Sequence, residues 1–252
     1  MRGLLAFFPS LVSLSLLFSS APALAQLIPV YEPARRAEYI QAADAFRAAQ
    51  VLERTAYSLN SFVRLPVKMP LVLRECGSAN AYYRPIQRDV TLCYELMEQV
   101  ISGITRDFGE APMEHKMEAA VGALYFILFH EIGHGLSHTL RLPILGKEED
   151  AADSIAAYLL LNSRDPLPSV IGTLWFFTNA VHQPTLRDFA DEHSLGHQRA
   201  YALLCQALGK DRATYAELAE RFRLPQERAV RCVDEYSQLS RAVRSLLGKH
   251  LY

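Results

Sequence analysis

The chain has 252 residues, half of them hydrophobic, and a formal net charge of −1 at pH 7. A charge this close to neutral gives no reason to expect nucleic acid or an anionic membrane as a partner. The length is sufficient for one sizeable core, or for one core with a helical annex.

The first 25 residues predict a cleaved signal peptide. Arg2 gives a short positive start, residues 4–18 are mostly apolar, and residues 23–25 spell an A-x-A cleavage site. Pro9 and several serines interrupt the apolar block, which favours cleavage over a membrane anchor. We therefore expect export to the periplasm or the extracellular space. We also expect the mature chain, residues 26–252, to form a single domain without an integral membrane span.

The mature chain begins with a predicted helix and a small sheet. The helix covers Pro33–Asn60, with proline at its start and apolar residues at helical spacing. Three short extended segments follow, at Leu71–Glu75, Asn80–Arg84 and Val90–Tyr94, and the second is expected at an edge. Another helix begins at Glu95. With the helices farther along, this pattern predicts a mostly helical α+β fold with a three-stranded sheet.

All four cysteines lie in the mature part of the chain. An even number of cysteines in an exported protein indicates two disulfides, for which three connectivities are possible. Each of the pairs Cys76–Cys93 and Cys205–Cys232 falls within one local region, so this connectivity is favoured. No two cysteines have C-x-x-C spacing, which argues against a thiolate zinc site.

The segment His130-Glu131-Ile132-Gly133-His134 lies in a strongly apolar helix predicted for residues 117–139. A helix has about 3.6 residues per turn, so both imidazoles share one face and can bind the same metal ion. Glu131 is rotated away from them but can still reach a water molecule on that ion. This H-E-x-x-H arrangement is typical of zinc peptidases, in which the glutamate accepts the proton of the water.

Two glycines in the same helix indicate close packing. Gly133 and Gly135 each cost about 1 kcal/mol relative to alanine in a helix, so we expect a neighbouring element to approach here. A metal ion would also compensate the buried charge of Glu131. The alternative is a helix whose core histidines are satisfied by other hydrogen bonds.

A catalytic zinc needs a third protein ligand and an open position for water. His138 cannot share an ion with His130, because residues i and i+8 of a helix are about 12 Å apart. The H-E-x-x-H-x-x-G-x-x-H pattern also fails, since Ser137 and Leu140 occupy the later positions. The third ligand must therefore come from another segment.

The acidic cluster at residues 148–153, which opens the next predicted helix, is the candidate. Glu149 and Asp153 lie on one face, so one can bind the metal while the other orients an imidazole. The alternative is that these charges only complement the helix dipole.

The remainder of the chain is also predicted to be mostly helical. Helices are expected at residues 148–162 and 169–180, followed by a polar irregular segment at 182–195. From about residue 197 to the end, the pattern predicts a helical C-terminal subdomain. Residues 215–236 faintly suggest a helix-turn-helix, but export and the absence of basic charge argue against DNA binding.

The two zinc motifs resemble those of the gluzincins, the clan that contains thermolysin and the HtpX-type enzymes. Residues 130–134 match H-E-x-x-H, and residues 149–153 match E-x-x-A-D. From about residue 70 onward, the chain also resembles a bacterial family of metallopeptidases of unknown function. The resemblance includes residues 75–77, 80–82, 92–96, 192–195 and 198–199.

The resemblance implies a zincin-like fold, one Zn²⁺ ion and specific residue roles. Glu149 would be the third zinc ligand beside His130 and His134, and Asp153 would hold a ligating histidine in the correct tautomer. Asn80 and Ala81 would belong to an edge strand that binds the backbone of an extended peptide. The alternative for this pair is an ordinary strand start after a turn.

His193 and Arg199 resemble a pair that stabilises the oxyanion in HtpX-type enzymes. The alternative for His193 is a polar loop residue. The sequence therefore predicts a zinc metallopeptidase acting on a peptide or protein substrate, with Glu131 as general base. A non-catalytic, zinc-stabilised peptide-binding protein on the same scaffold is the competing interpretation.

Overall fold

The computed structural model describes residues 26–179 and 183–252, so the predicted signal peptide lies outside the described residues. The described helices surround one small sheet, and the fold is mostly helical α+β, as the sequence predicts. The helices are α1 Ala37–Ala48, α2 Val51–Asn60, α3 Tyr94–Asp107, α4 Met113–Leu140, α5 Glu148–Leu161, α6 Leu167–Asn179, α7 Leu186–Phe189, α8 Gly196–Lys210, α9 Arg212–Arg221, α10 Gln226–Ala229 and α11 Cys232–Leu247.

The sheet has the strand order β1-β2-β4-β3. Its strands are β1 Leu27–Tyr31, β2 Met69–Arg74, β3 Ala81–Arg84 and β4 Asp89–Cys93. Strands β1, β2 and β4 are parallel, whereas β3 runs antiparallel to β4 at the edge. The prediction of three strands was wrong by one, because β1 was missed. Pro29 interrupts the strand pattern of β1, and proline is tolerated there because β1 is an edge strand.

The helix predicted for Pro33–Asn60 is two helices. Gln50 lies between α1 and α2 with a left-handed φ of 54°, which breaks the helical path. Several apolar side chains of both helices are nevertheless buried in the core against the sheet, among them Phe46 and Leu52.

Helix α4 runs through the interior and packs against α3, α5, α6, β3 and β4. It is long and apolar enough to cross a membrane by length and composition, but 78% of its most apolar window is buried inside the protein. Leu124 faces the hydrophobic cluster around the sheet, and Phe126 faces a second cluster built from α5, α6, α8 and α9. The helix ends at Leu140 and is followed by Arg141, which has a left-handed φ of 51° and precedes Pro143 by two residues.

The two helix glycines lie where neighbouring elements approach α4 closely. A Cβ atom on Gly133 would lie 3.1 Å from Cα of Ala152 in α5. A Cβ atom on Gly135 would lie 2.6 Å from Cε of Met69 in β2. Gly133 therefore allows α5, which begins with the acidic cluster, to pack closely against the helix that carries the histidines.

Two disulfides crosslink the chain, and they have the connectivity that the sequence favours. Cys76–Cys93 joins the turn after β2 to the end of its parallel neighbour β4. Cys205–Cys232 joins α8 to α11. The C-terminal helices also contact the rest of the molecule, because Val243 and Leu247 are buried in the cluster around the sheet.

Candidate metal centre

Three separate segments contribute the candidate site residues to one cleft of about 1050 Å³. Helix α4 contributes His130, Glu131 and His134, and the first turn of α5 contributes Glu149. His193 comes from the segment before α8. The cleft is also lined by Asn80, Ala81, Tyr83, Phe126, Ile127, His138, Leu142, Ile144, Phe176, Phe177 and Arg199.

Three donor atoms of the predicted ligands converge in this cleft. His130 Nε2 lies 3.2 Å from His134 Nε2, and Glu149 Oε2 lies 3.0 Å and 3.3 Å from these two nitrogens. Neighbouring ligand atoms around a tetrahedral zinc ion are about 3.3 Å apart, given metal–ligand distances of about 2.0–2.1 Å. The spacing of the three donors therefore fits a metal ion of this size.

The buried oxygen of Glu149 provides a second test of whether these residues suit a metal ion. Among the described residues, Oε2 has no hydrogen-bond donor of acceptable geometry, although imidazole nitrogens surround it. Burial opposes ionisation of Glu149, but the neighbouring histidines outweigh it and hold the pKa of this carboxyl well below its usual range. A buried, ionised carboxylate is costly unless positive charge compensates it, so a carboxylate surrounded by imidazole nitrogens suits a metal ion.

A carboxylate orients each histidine of α4. His130 Nδ1 lies 2.8 Å from Asp153 Oδ1, and His134 Nδ1 lies 2.8 Å from Glu148 Oε1. A proton on each Nδ1 leaves both Nε2 atoms free to bind a metal. Burial alone would lower the pKa of His134, but Glu149 and Glu148 raise it to about 9. The role of Glu148 was missed in the sequence, although the residue stands directly before Glu149.

Arg199 contacts Asp153, the carboxylate that orients His130. Its Nε and Nη2 atoms each donate to Asp153 over 2.7 Å, and its guanidinium stacks over the ring of Phe177. The two nitrogens bound to Asp153 are not available to an oxyanion. This contact favours a positioning role for Arg199, acting through Asp153 on His130, over the predicted donation to substrate.

His193 reaches the same oxygen as the two histidines of α4. Its Nε2 lies 2.9 Å from Glu149 Oε2, and its ring stacks on that of His130 with centroids 6.0 Å apart. The Glu149 carboxylate raises the pKa of His193, and partial burial opposes this effect. The sequence predicted a donor facing the substrate, whereas the structure places His193 among the candidate ligands.

Glu131 is buried beside the donor set. Burial raises the pKa of its carboxyl group, and the charges of His130 and His134 oppose this rise. The backbone N–H of Tyr83 in β3 faces the same carboxylate. A carboxyl group with a raised pKa next to a metal site is suited both to accept and to release a proton.

The edge strand directs the backbone groups of Ala81 and Tyr83, but not the carbonyl of Asn80, away from β4. The backbone N–H of Cys93 donates to the carbonyl of Asn80 over 3.0 Å, which sets the hydrogen-bonding alternation of β3. The backbone groups of Ala81 and Tyr83 therefore point away from β4. The side chain of Asn80 accepts from the N–H of Ala81 over 3.0 Å, and substrate binding by these two residues stays a prediction.

One further contact in the cleft wall had no clear signal in the sequence. The hydroxyl group of Tyr83 lies 2.9 Å from Nδ1 of His138, one turn after His134. The sequence showed only that His138 cannot be a metal ligand. Its contact with Tyr83 follows from the packing of β3 on α4.

Two histidines one turn apart on a buried helix, with a carboxylate from the next helix, define a candidate metal centre with a buried glutamate beside it. The chain belongs to the DUF4344 family, which is described as "Putative metallopeptidase" and whose model matches residues 31–247. No curated protein and no solved structure matches the chain. The family therefore supports metal-dependent proteolysis as the activity associated with this site.

Proposed function

We propose that the protein is a zinc-dependent peptidase of the gluzincin type on a zincin-like fold. His130, His134 and Glu149 would hold the zinc ion. The observation that carries this proposal is the convergence of their three donor atoms within 3.3 Å of one another. Membership of the metallopeptidase family supports it independently.

Bound zinc supplies a Lewis acid for the scissile carbonyl and lowers the pKa of bound water toward about 7. Glu131 accepts a proton from water in the cleft and later passes it to the nitrogen of the leaving amine. Its buried position excludes competing solvent and raises its pKa, so the carboxyl can both accept and release a proton.

Groups around the cleft bind and orient the peptide. The outward carbonyl groups of Ala81 and Tyr83 would accept hydrogen bonds from an extended substrate at the sheet edge, because the N–H groups of these residues already face Asn80 Oδ1 and Glu131. His193 would donate a hydrogen bond to the developing oxyanion once a peptide is bound. Arg199 keeps Asp153 in place, and Asp153 keeps His130 in the tautomer that binds metal.

We also propose that the enzyme is exported and acts as a single domain after cleavage behind Ala25. The two disulfides support this location, because disulfides persist mainly in oxidising compartments. The signal sequence can be tested directly by identifying the N-terminal residue of the secreted protein.

The catalytic proposal is tested with Glu131→Gln, using hydrolysis of a degenerate peptide library and zinc content as readouts. We expect this variant to retain stoichiometric zinc and to lose hydrolysis, as the wild type should after chelation. Glu118→Gln is the matched control, because Glu118 is an exposed glutamate of the same helix that does not line the cleft. Full activity of Glu131→Gln would contradict the mechanism, whereas peptide binding without hydrolysis by the wild type would favour a non-catalytic binding protein.

A further inference from the structure

We propose that His193 is a fourth zinc ligand in the resting enzyme, and that residues 183–195 form a latch that must open before a peptide reaches the metal. This inference depends on the proposed function, because it concerns the same metal site. It adds that the metal site is closed to peptides in the enzyme without substrate.

The first argument is the position of the His193 imidazole. Its Nε2 lies 2.9 Å from Glu149 Oε2, close to the 3.0 Å and 3.3 Å that separate this oxygen from the ring nitrogens of His130 and His134. His193, His130 and Glu149 offer ligand atoms that all lie within 4.8 Å of one another. His193 therefore approaches the oxygen that would bind the metal as closely as the two predicted histidine ligands do.

The second argument is that the three histidines are held in the same way. His130 is oriented through Nδ1 by Asp153 and His134 by Glu148, each over 2.8 Å. His193 Nδ1 likewise lies 3.1 Å from Asp191 Oδ1. A carboxylate on Nδ1 is the usual partner of a metal-binding histidine, because it leaves Nε2 free for the metal. The structure therefore contains three carboxylate–histidine pairs whose Nε2 atoms all approach the same oxygen of Glu149.

Four protein donors would give the site the coordination of a structural zinc site. Catalytic zinc sites keep three protein ligands and leave one position open for water or substrate. With His193 in place this position is filled, so the resting site is closed. Hydrolysis then requires His193 to withdraw, after which the same imidazole is close enough to donate a hydrogen bond to the bound carbonyl.

The latch is suited to opening because it contributes nothing to the core. None of residues 183–195 is buried. Its end is tied to the start of α5 by polar contacts. Lys147 Nζ donates to the carbonyls of Asp191 and His193 over 3.1 Å and 3.4 Å, and Ser194 Oγ donates to Asp150 Oδ1 over 2.7 Å. Segments with few buried contacts open at low free-energy cost, so local opening does not require unfolding of the domain.

The test compares the zinc-loaded wild type with His193→Ala and with His197→Ala. His197 is the matched control, because it is an exposed histidine four residues farther along the chain. X-ray absorption should count three imidazole ligands in the wild type and in His197→Ala, and two in His193→Ala. Transfer of zinc to a chelator should be at least about tenfold faster for His193→Ala only, as expected when a metal site loses a supporting group.

Lys147→Ala provides a second test that keeps His193 intact. Releasing the latch should accelerate zinc transfer to a rate between those of the wild type and His193→Ala, and should raise peptide hydrolysis. Both effects would be absent if His193 never bound the metal.

The proposal is overturned if the wild type shows two imidazole ligands and if His193→Ala releases zinc at the wild-type rate. Hydrolysis that depends on Glu131 would then leave the proposed function intact. A wild type that carries no stoichiometric zinc would instead overturn both the proposed function and the latch.

Discussion

Asp153 Oδ1 lies 2.8 Å from Nδ1 of His130, and Asp153 is itself held by two hydrogen bonds from Arg199. The carboxylate is mostly buried, and burial opposes its ionisation. His130 and Arg199 outweigh this effect and keep the pKa of Asp153 below its ordinary value. One side chain of α5 therefore fixes both the tautomer and the orientation of a histidine on α4.

Replacing Asp153 by Asn should weaken zinc binding by about 10–100-fold, because the amide no longer favours the proton on Nδ1 of His130. Glu148→Gln is the matched comparison, since Glu148 plays the same part for His134 from a much more exposed position. We expect the smaller loss for Glu148→Gln. Competition with a zinc chelator measures both values, and equal losses would contradict the assignment of Asp153 as the dominant partner.

Hydrolysis should fall at acidic pH because Glu131 must be ionised to accept a proton. Burial raises the pKa of Glu131 above the 4.5 of an ordinary glutamate, and the ionised fraction is lost as pH falls through this raised value. The acidic limb of the pH–rate profile should therefore lie above pH 4.5. Zinc content is measured at each pH as the control. An acidic limb at or below pH 4.5 in fully zinc-loaded enzyme would contradict the raised pKa.

The sequence could predict those site residues whose relation is fixed by their spacing along one helix. His130 and His134 share a face because helix geometry fixes the relation between residues i and i+4. Glu149 and Asp153 obey the same rule on the next helix. The apolar character of residues 119–129 predicted the buried helix. The five helix and strand segments expected before it all have counterparts in the structure, although the first is divided into two helices.

The relations that sequence could not predict depend on where separate segments meet. The pairing of His193 with Asp191 is local, but its approach to Glu149 depends on the path of a polar segment without a periodic pattern. The sequence did not predict strand β1 because Pro29 interrupts its strand pattern. The break at Gln50 also has no signal, because glutamine rarely adopts a left-handed conformation.

Gly133→Ala should weaken zinc binding more than Gly135→Ala. A methyl group on Gly133 would press on the backbone of Ala152, and this would displace the helix that carries Glu149 and Asp153. A methyl group on Gly135 would meet the end of the Met69 side chain, which can move aside. Chelator competition and the denaturation midpoint are measured for both variants. A larger loss of zinc affinity in Gly135→Ala would contradict the proposed dependence on close packing between α4 and α5.

The two disulfides should contribute similarly to stability but differently to substrate binding. Cys76–Cys93 closes a loop of 17 residues, and Cys205–Cys232 closes a loop of 27 residues. Because the entropy that a disulfide removes from the unfolded chain depends only weakly on loop length, replacing either pair by alanine should lower the free energy of unfolding by about 3 kcal/mol. The backbone N–H of Cys93 also bonds to the carbonyl of Asn80 at the start of the edge strand. Losing the first disulfide should therefore raise KM for peptides as well.

Denaturant unfolding and steady-state kinetics separate these two effects. The variant that lacks Cys205–Cys232 is the matched control, since this bond joins α8 to α11 and neither cysteine lines the cleft. It should lose stability while keeping its KM under conditions where it remains folded. A KM that rises equally in both variants would show that general loosening of the fold, rather than the position of β3, governs peptide binding.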